Sequence, residues 1–214
     1  YPLRRQRQMC IRDRDLQNEM RYDIYDLHAE EVKHLVPKYM RFEIDERVDS
    51  SGKVNEGINI KRFKEILNSL KKIKNINSNN SVAVCLINSY INPENENILK
   101  RIISEQFPDV NISLSSEISP LIREYERMST TICNAYIQPL AKNYLDGIVS
   151  NLAKNKYKSP LRLMLSSGGI TSVEISKNFP IRRIEAGPAA GAIAASFWCK
   201  KTVFIDFLSF DMEG

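Results

Sequence analysis

The stretch SSEISPLIREYERMSTTICNAYIQPL, residues 115–140, decides how this chain is organised. It opens as a polar turn after a short apolar run. A charged helix follows, Arg123-Glu124-Tyr125-Glu126-Arg127. Ser129, Thr130 and Thr131 then lead into a more apolar helix carrying Ile132, Tyr136, Ile137 and Leu140. Charge density falls across Met128 while helical periodicity continues, and such a composition shift marks a domain seam. The segment reads as the hinge between two α/β units, with Arg123, Glu124, Glu126, Arg127, Thr130 and Asn134 as its candidate residues. Two readings of the charges stay open. As a solvated helix face, Arg123 and Arg127 lie one turn apart, Glu124 and Glu126 pair locally, and the pairs contribute about 0–1 kcal/mol. As a joint, the run lies along the seam and resets its ion pairs when a cleft closes. No base stands near the three hydroxyls in sequence, so they read as caps or hydrogen bonds rather than nucleophiles.

Upstream of this stretch, Val110, Ile112 and Leu114 alternate as a strand. Ile98, Leu99, Ile102 and Ile103 form the apolar stripe of a helix that Pro93 opens at its first turn and Phe107-Pro108 ends. The run VAVCLI, residues 82–87, predicts a strand buried on both faces. Asn59 to Lys74 predicts an amphipathic helix with Phe63, Ile66, Leu67, Leu70 and Ile73 inward. Met40, Phe42 and Ile44 alternate with charged residues before the turn Ser50-Ser51-Gly52, so a short two-stranded element is expected there. Helix and strand alternating at these lengths predict βαβ units and a parallel sheet. Downstream, the hinge helix continues to Leu152 with a kink at Pro139. A strand follows at 161–165, then a short helix from Ser172 to Phe179 with Ser172 as its cap, a strand at 181–184, and a small-residue helix from Ala189 to Phe197.

Three loops sit where a parallel sheet places a site, at the carboxyl ends of strands: residues 166–169, 186–191 and the terminus 209–214. In Ser166-Ser167-Gly168-Gly169, paired glycines let backbone N–H groups approach an anion; the same four residues also make a plain tight turn. In Ala186-Gly187-Pro188, a helix opening at Pro188 presents N–H groups and a positive dipole end to phosphate or carboxylate. Gly191 and the alanines equally permit close helix packing.

Bulk composition excludes several classes. The 214 residues are 43% hydrophobic and 27% charged, which suits a globular chain with real cores. No apolar run nears the roughly 18 residues a membrane span needs. The basic start has no apolar core behind it, so it is not a signal peptide. Cys10, Cys85, Cys133 and Cys199 form no CxxC pair, so neither a zinc site nor a disulfide framework is expected, and the cytoplasm is the expected compartment. His28 and His34 lie in a polar stretch with no nucleophile or ligand partner beside them. Of the net charge of +5, residues 1–15 carry +3, from five arginines against two aspartates. The nearly neutral remainder argues against nucleic acid as a partner. That basic arm has no apolar periodicity and reads as a non-native or disordered segment, apart from the fold.

The pattern Ser113 to Glu117 (SLSSE), Pro120, Arg123 to Arg127 (REYER), Ser129 to Thr131 (STT), Asn134 to Tyr136 (NAY) and Pro139 resembles a motif of the hydantoinase/oxoprolinase family. The resemblance runs from about Gln17 to Gly214 and covers a middle slice of the family's longer chain, so the sequence reads as an internal fragment. It implies an α/β fold with parallel or mixed sheets and flanking helices, on the scaffold of the actin, sugar-kinase and Hsp70-like ATPases, truncated at both ends. Residues 16–128 would be the C-terminal part of the family's N-terminal domain, and 129–214 the start of its hydantoinase A domain. Composition alone makes Thr202 to Phe210 one β run, whereas alignment to the family extends the preceding helix to about Val203 and places the strand at Phe207 to Asp211, the preferred boundary. The terminus Ser209-Phe210-Asp211-Met212-Glu213-Gly214 then resembles the family's strand ending FDMGG, a phosphate motif. On that likeness Asp211 and Gly214, with Gly168, Gly169 and Gly187, would hold nucleotide phosphate, and Asp211 would reach a metal only through Mg-ATP. Glu213 stands where the family has glycine, and a carboxylate there repels phosphate. The implied cofactor is ATP with Mg2+, and the implied function is ATP-dependent opening of a cyclic amide, 5-oxoproline or a hydantoin. The implied partners are that small substrate and a hydantoinase B-type subunit or domain. Alternatives are an acetone carboxylase-like subunit and a non-catalytic paralogue serving as an interaction module.

Overall fold

The structure, a computed structural model, describes residues 35–71, 80–202, 208 and 210–212. The basic arm, His28, His34, Ile73, Glu213 and Gly214 lie outside the described residues. The chain divides into two compact units, the first ending at Ile132 and the second running on from Cys133, with residues 76–82 and 109–111 belonging to the second.

In the first unit, β1 (Arg47–Val48) and β2 (Val54–Glu56) pair antiparallel. Asp49 shapes their turn. Its carboxylate accepts hydrogen bonds from the Ser51 N–H (2.8 Å) and hydroxyl (2.6 Å), the Lys53 N–H (3.0 Å) and the Asn55 amide (3.4 Å). These bonds, Ser51's side chain foremost, hold the carboxyl below the usual range. The two-stranded element is thus present, but the alternating run Met40 to Ile44 lies outside its strands. Helix α1 (Ile60–Lys71) buries Phe63 and Leu67, half-buries Ile66 and Leu70, and turns its lysines outward, as its period requires.

Strand β3 (Ser81–Val84) is shorter than the apolar run suggests, and only Val84 is buried. It pairs with β4 (Asn111–Leu114) in a two-stranded sheet. Between them, α2 (Glu94–Gln106) buries Leu99 and Ile103. Pro93 is its capping residue rather than its first helical one. Helix α3 is a single turn, Ser115–Ile118. Helix α4 runs unbroken from Glu124 to Lys154 with Pro139 inside it.

The core of the first unit contains charge. Glu96 and Arg127 are both 0% exposed. The Glu96 carboxylate accepts four hydrogen bonds: from the Leu86 N–H (3.0 Å), the Ser115 hydroxyl (2.6 Å), the Ser116 N–H (2.9 Å) and the Ser116 hydroxyl (2.7 Å). Arg127 donates to the Leu86 carbonyl (2.7 Å), the Leu121 carbonyl (2.9 Å) and Ser115 Oγ (3.2 Å), and its guanidinium lies 5.3 Å from the Tyr90 ring centroid. Ser115 gives its one proton to Glu96 and accepts from Arg127, so a hydroxyl bridges the two charges. Beside this cluster, burial pushes the Cys85 thiol up. Asn88, at φ 55, donates to the Val48 carbonyl (2.9 Å), and Asn92 donates to the Gly52 carbonyl (2.8 Å), fastening the 86–92 turn to the β1–β2 hairpin.

In the second unit, β5 (Arg162–Met164) and β6 (Ile170–Ser172) form an antiparallel hairpin with Leu163 opposite Thr171. Strand β6 was not expected from the sequence. Helix α5 (Val173–Asn178) starts where Ser172 Oγ accepts the Ile175 N–H (3.4 Å), the expected cap. Residues 180–183 are a 3-10 turn rather than a strand, because Pro180 opens it and the Ile181 N–H bonds Asn134 Oδ1 (3.2 Å) instead of a neighbouring strand. Helix α6 (Ala186–Cys199) starts three residues earlier than its composition suggests. At its far end Phe197 and Trp198 meet edge to face at 5.8 Å, with Lys201 Nζ 4.3 and 5.5 Å from their ring centroids. Among the described residues there are three two-stranded sheets rather than one larger sheet: β1–β2 and β5–β6 are antiparallel, and β3 pairs with β4 across the intervening α2, the connection expected of a βαβ unit. Five-residue connections such as 49–53 and 165–169 can only fold a strand back on its predecessor; a parallel crossover needs a dozen residues or more.

Two measurements check this core. Arg127→Ala strands buried acceptors and leaves Glu96 without its bridged cation, so urea unfolding should show a loss of about 3–5 kcal/mol. Arg123→Ala, at an exposed pair 3.6 Å from Glu126, should cost less than about 1 kcal/mol. Glu46, half-buried and accepting from Asn95 Nδ2 (2.7 Å), has its carboxyl raised above the ordinary 4.5 by burial. A raised acid binds its proton more tightly when folded, so its contribution is full below pH 4.5 and is lost as pH rises through the folded value. Glu46→Gln should therefore gain thermal stability relative to the natural chain as pH rises above 4.5; a difference that does not change with pH would contradict the assignment.

Candidate functional site

The candidate phosphate-binding residues fall in the second unit, around α6. Ser166 to Gly169 is the turn of the β5–β6 hairpin, not a loop from strand to helix. Its donors are partly committed. The Ser166 N–H donates to the Arg182 carbonyl (2.8 Å) and the Gly168 N–H to the Leu165 carbonyl (2.9 Å), while Ser166 Oγ accepts from the Glu185 N–H (3.1 Å). Gly168 takes φ +86, which side-chain-bearing residues seldom adopt, and a Cβ there would lie 2.8 Å from Ile193 Cδ1 of α6. Packing alone thus accounts for glycine at 168. The structure places no such demand on Gly169, whose Cβ would only graze Leu165 at 4.0 Å.

Because α6 starts at Ala186, Gly187 is its second residue and Pro188 its third. Pro188 has no N–H, so Ala186 and Gly187 are the first-turn donors, near the Ser166 hydroxyl that holds Glu185. Asp211 is exposed, and its Oδ2 lies 3.6 Å from where a Cβ on Gly191 would stand. The hairpin turn and the Asp211 carboxylate therefore reach α6 at residues 193 and 191. A carboxylate free to meet solvent beside a helix is suited to carry a cation that arrives with its own phosphate ligands. Among the described residues, no group of three His, Cys, Asp or Glu side chains could hold a metal by itself. Gly214 is not described.

The hinge candidates separate sharply. Arg123 sits outside the helix at φ 81, 78% exposed, 3.6 Å from Glu126. Glu124 is exposed. Arg127 is wholly enclosed and cannot re-pair as a surface charge does. Thr130 and Thr131 donate their hydroxyls to the carbonyls four residues back, at 2.8 and 2.7 Å. Asn134 is buried, donating to the Asn178 carbonyl (3.1 Å) and accepting from the Ile181 N–H. Glu96 is not among the sequence candidates, and Ser115 enters there only as part of the SLSSE motif. The signal for Glu96 was there: it lies on the same helical face as Leu99 and Ile103, where a solvated glutamate has no place.

Residues 8–107 match the hydantoinase/oxoprolinase N-terminal region and residues 127–214 match hydantoinase/oxoprolinase. The chain belongs to the hydantoinase/oxoprolinase family. The first match begins inside the basic arm, at residue 8. An uncharacterised protein of Methanocaldococcus jannaschii is 34% identical over 200 residues, 94% of this chain and 29% of its own. The 5-oxoprolinase of Saccharomyces cerevisiae is 31% identical, across 92% of this chain and 17% of its own. Among solved structures, the ATP-dependent caprolactamase of Pseudomonas jessenii superposes with a TM-score of 0.75 at 25% identity, over 83% of this chain and 25% of that one. A nucleotide-free acetone carboxylase, at 24% identity and TM-score 0.67 over 88% of this chain and 25% of that one, shares the fold. The chain thus spans less than a third of each of these proteins. Among the described residues, no helix is long and apolar enough to cross a membrane.

Two glycine substitutions test how α6 is packed. Gly168→Ala forces a left-handed alanine and should lower stability by about 1 kcal/mol or more. Gly191→Ala makes only an ordinary contact with Asp211 and gains helix propensity, so it should raise stability by about 0.5–1 kcal/mol. Thermal unfolding of the two variants reads the opposite signs directly.

Proposed function

We propose that this chain is the central part of an ATP-dependent enzyme that opens a cyclic amide, of the 5-oxoprolinase or hydantoinase type. The observation that carries the reading is Asp211 standing exposed beside α6, in a chain whose family includes a 5-oxoprolinase and is structurally similar to an ATP-dependent caprolactamase. A five-membered lactam resists water because its nitrogen lone pair is shared with the carbonyl. Moving a phosphoryl group from ATP to the amide oxygen, with ADP leaving, makes the ring carbon electrophilic; water adds there, the ring C–N bond breaks as the nitrogen takes the proton, and a second water releases phosphate from the acyl phosphate that results. In this scheme Asp211 would hold the Mg2+ that comes with the nucleotide, and the ion would neutralise charge on the phosphates. The N–H groups of Ala186 and Gly187 would face phosphate oxygens, Gly214 would join them by its place in the family's motif, and the 166–169 turn supports α6 from its side. A hydantoinase B-type subunit or domain would complete the enzyme. The second reading is an ATP-dependent carboxylase subunit, favoured by the fold shared with acetone carboxylase. The third is a non-catalytic paralogue, favoured by Glu213 in place of the family's glycine.

The test is ATP turnover by the complete protein that contains this stretch, with 5-oxoproline, hydantoin and caprolactam offered in turn. ADP formed in step with ring opening, and a fall in kcat on the order of 100-fold or more in Asp211→Asn, is the expected result. Turnover that needs bicarbonate and a ketone instead would select the carboxylase. Failure to bind ATP even after Glu213→Gly would leave the interaction module.

A further inference from the structure

Two buried polar side chains hold α4 seven residues apart. Arg127 is bonded to Leu86, Ser115 and Leu121, all in the first unit. Asn134 is bonded to Asn178 and Ile181, both in the second. Seven residues are close to two helical turns, so the two side chains leave the helix on the same side. The six residues between them, 128–133, contain the last of the points where the chain passes from one unit to the other, between Ile132 and Cys133, and the one that falls within α4.

That short section has unusual helix chemistry. The Thr130 hydroxyl donates to the Glu126 carbonyl and the Thr131 hydroxyl to the Arg127 carbonyl. Each of those carbonyls must also serve the amide four residues on. A hydroxyl competing for the same oxygen weakens the amide bond and bends the helix. Thr130, Thr131 and Ile132 are also three consecutive β-branched residues, which crowd the preceding turn and lower helix propensity.

We infer that residues 128–133 are a flexing joint within α4, with Arg127 and Asn134 as the rivets that confine bending to fewer than two turns. The rivets themselves stay fixed, each in its own unit. The charges of Arg123, Glu124 and Glu126 take no part. Pro139 is the rival location, since it offers no N–H to the Ala135 carbonyl. It lies five residues beyond Asn134, so a bend there would fall wholly inside the second unit's share of the helix. The inference does not depend on what the protein binds.

Amide hydrogen exchange along α4 in the intact protein tests it. Amides 130–134 should exchange on the order of tenfold faster than amides 143–150. Removing the competing hydroxyls with Thr130→Ala and Thr131→Val should slow 130–134 by about threefold to tenfold and leave 143–150 unchanged. Uniform exchange from 126 to 150 would overturn the joint. So would a maximum at 136–142 around Pro139, or exchange at 130–134 that ignores the loss of the hydroxyls. Should Thr131→Val prevent folding, Thr130→Ala and the gradient in the unsubstituted protein decide between the same outcomes.

Discussion

Leu86, two residues past the end of β3, has one N–H and one carbonyl to place, and buried charges take both. Glu96 accepts the first and Arg127 donates to the second. Most of the first unit follows from this arrangement. Glu96 belongs to α2, Ser115 and Ser116 to α3, and Arg127 to the start of α4, so three helices converge on the end of one strand. Two buried ions would be costly in isolation, because desolvation outweighs their attraction unless every lone pair and proton is met. Here four donors meet the carboxylate, and three acceptors with an aromatic ring meet the guanidinium. Such a cluster specifies geometry more strongly than an apolar core does, because a shift of one residue in any element would leave a charge unpaired.

The same helix shows why polarity alone misleads along this chain. Arg127, Thr131, Asn134 and Gln138 are buried at spacings of four, three and four, a polar stripe facing inward. Tyr136, Leu140 and Tyr144, one turn apart from each other, are each at least 60% exposed. Ordinary amphipathicity is inverted, and the usual inference from hydrophobic spacing to core fails here.

What could be read from sequence tracks how local the cause is. Helix α1, helix α2, the Ser172 cap and the 50–52 turn were all legible, since each depends on residues within about one helical turn or one hairpin. The REYER-to-NAY pattern was specific enough to indicate the hydantoinase/oxoprolinase family, which the family matches at both ends of the chain bear out. The sheets were not legible. Apolar runs at 82–87 and 161–165 identify extended chain but do not say which neighbour it meets, and β6 is too short to announce itself. Arg127 reads as one surface charge among four because its partners, Leu86 and Ser115, are 41 and 12 residues away. At the candidate site, the glycines of 166–169 drew a phosphate reading from type alone, whereas the contact of Gly168 with Ile193 required coordinates.

Trp198 is the chain's sole tryptophan, at the far end of a helix without a single ionised side chain, 64% open to water and beside a lysine ammonium. The indole emission of these 214 residues therefore arises at one spot. Iodide should reach it readily, drawn by the neighbouring cation, and its colour should track whatever comes to cover the end of α6. A label-free optical reporter is thus built into the end of α6.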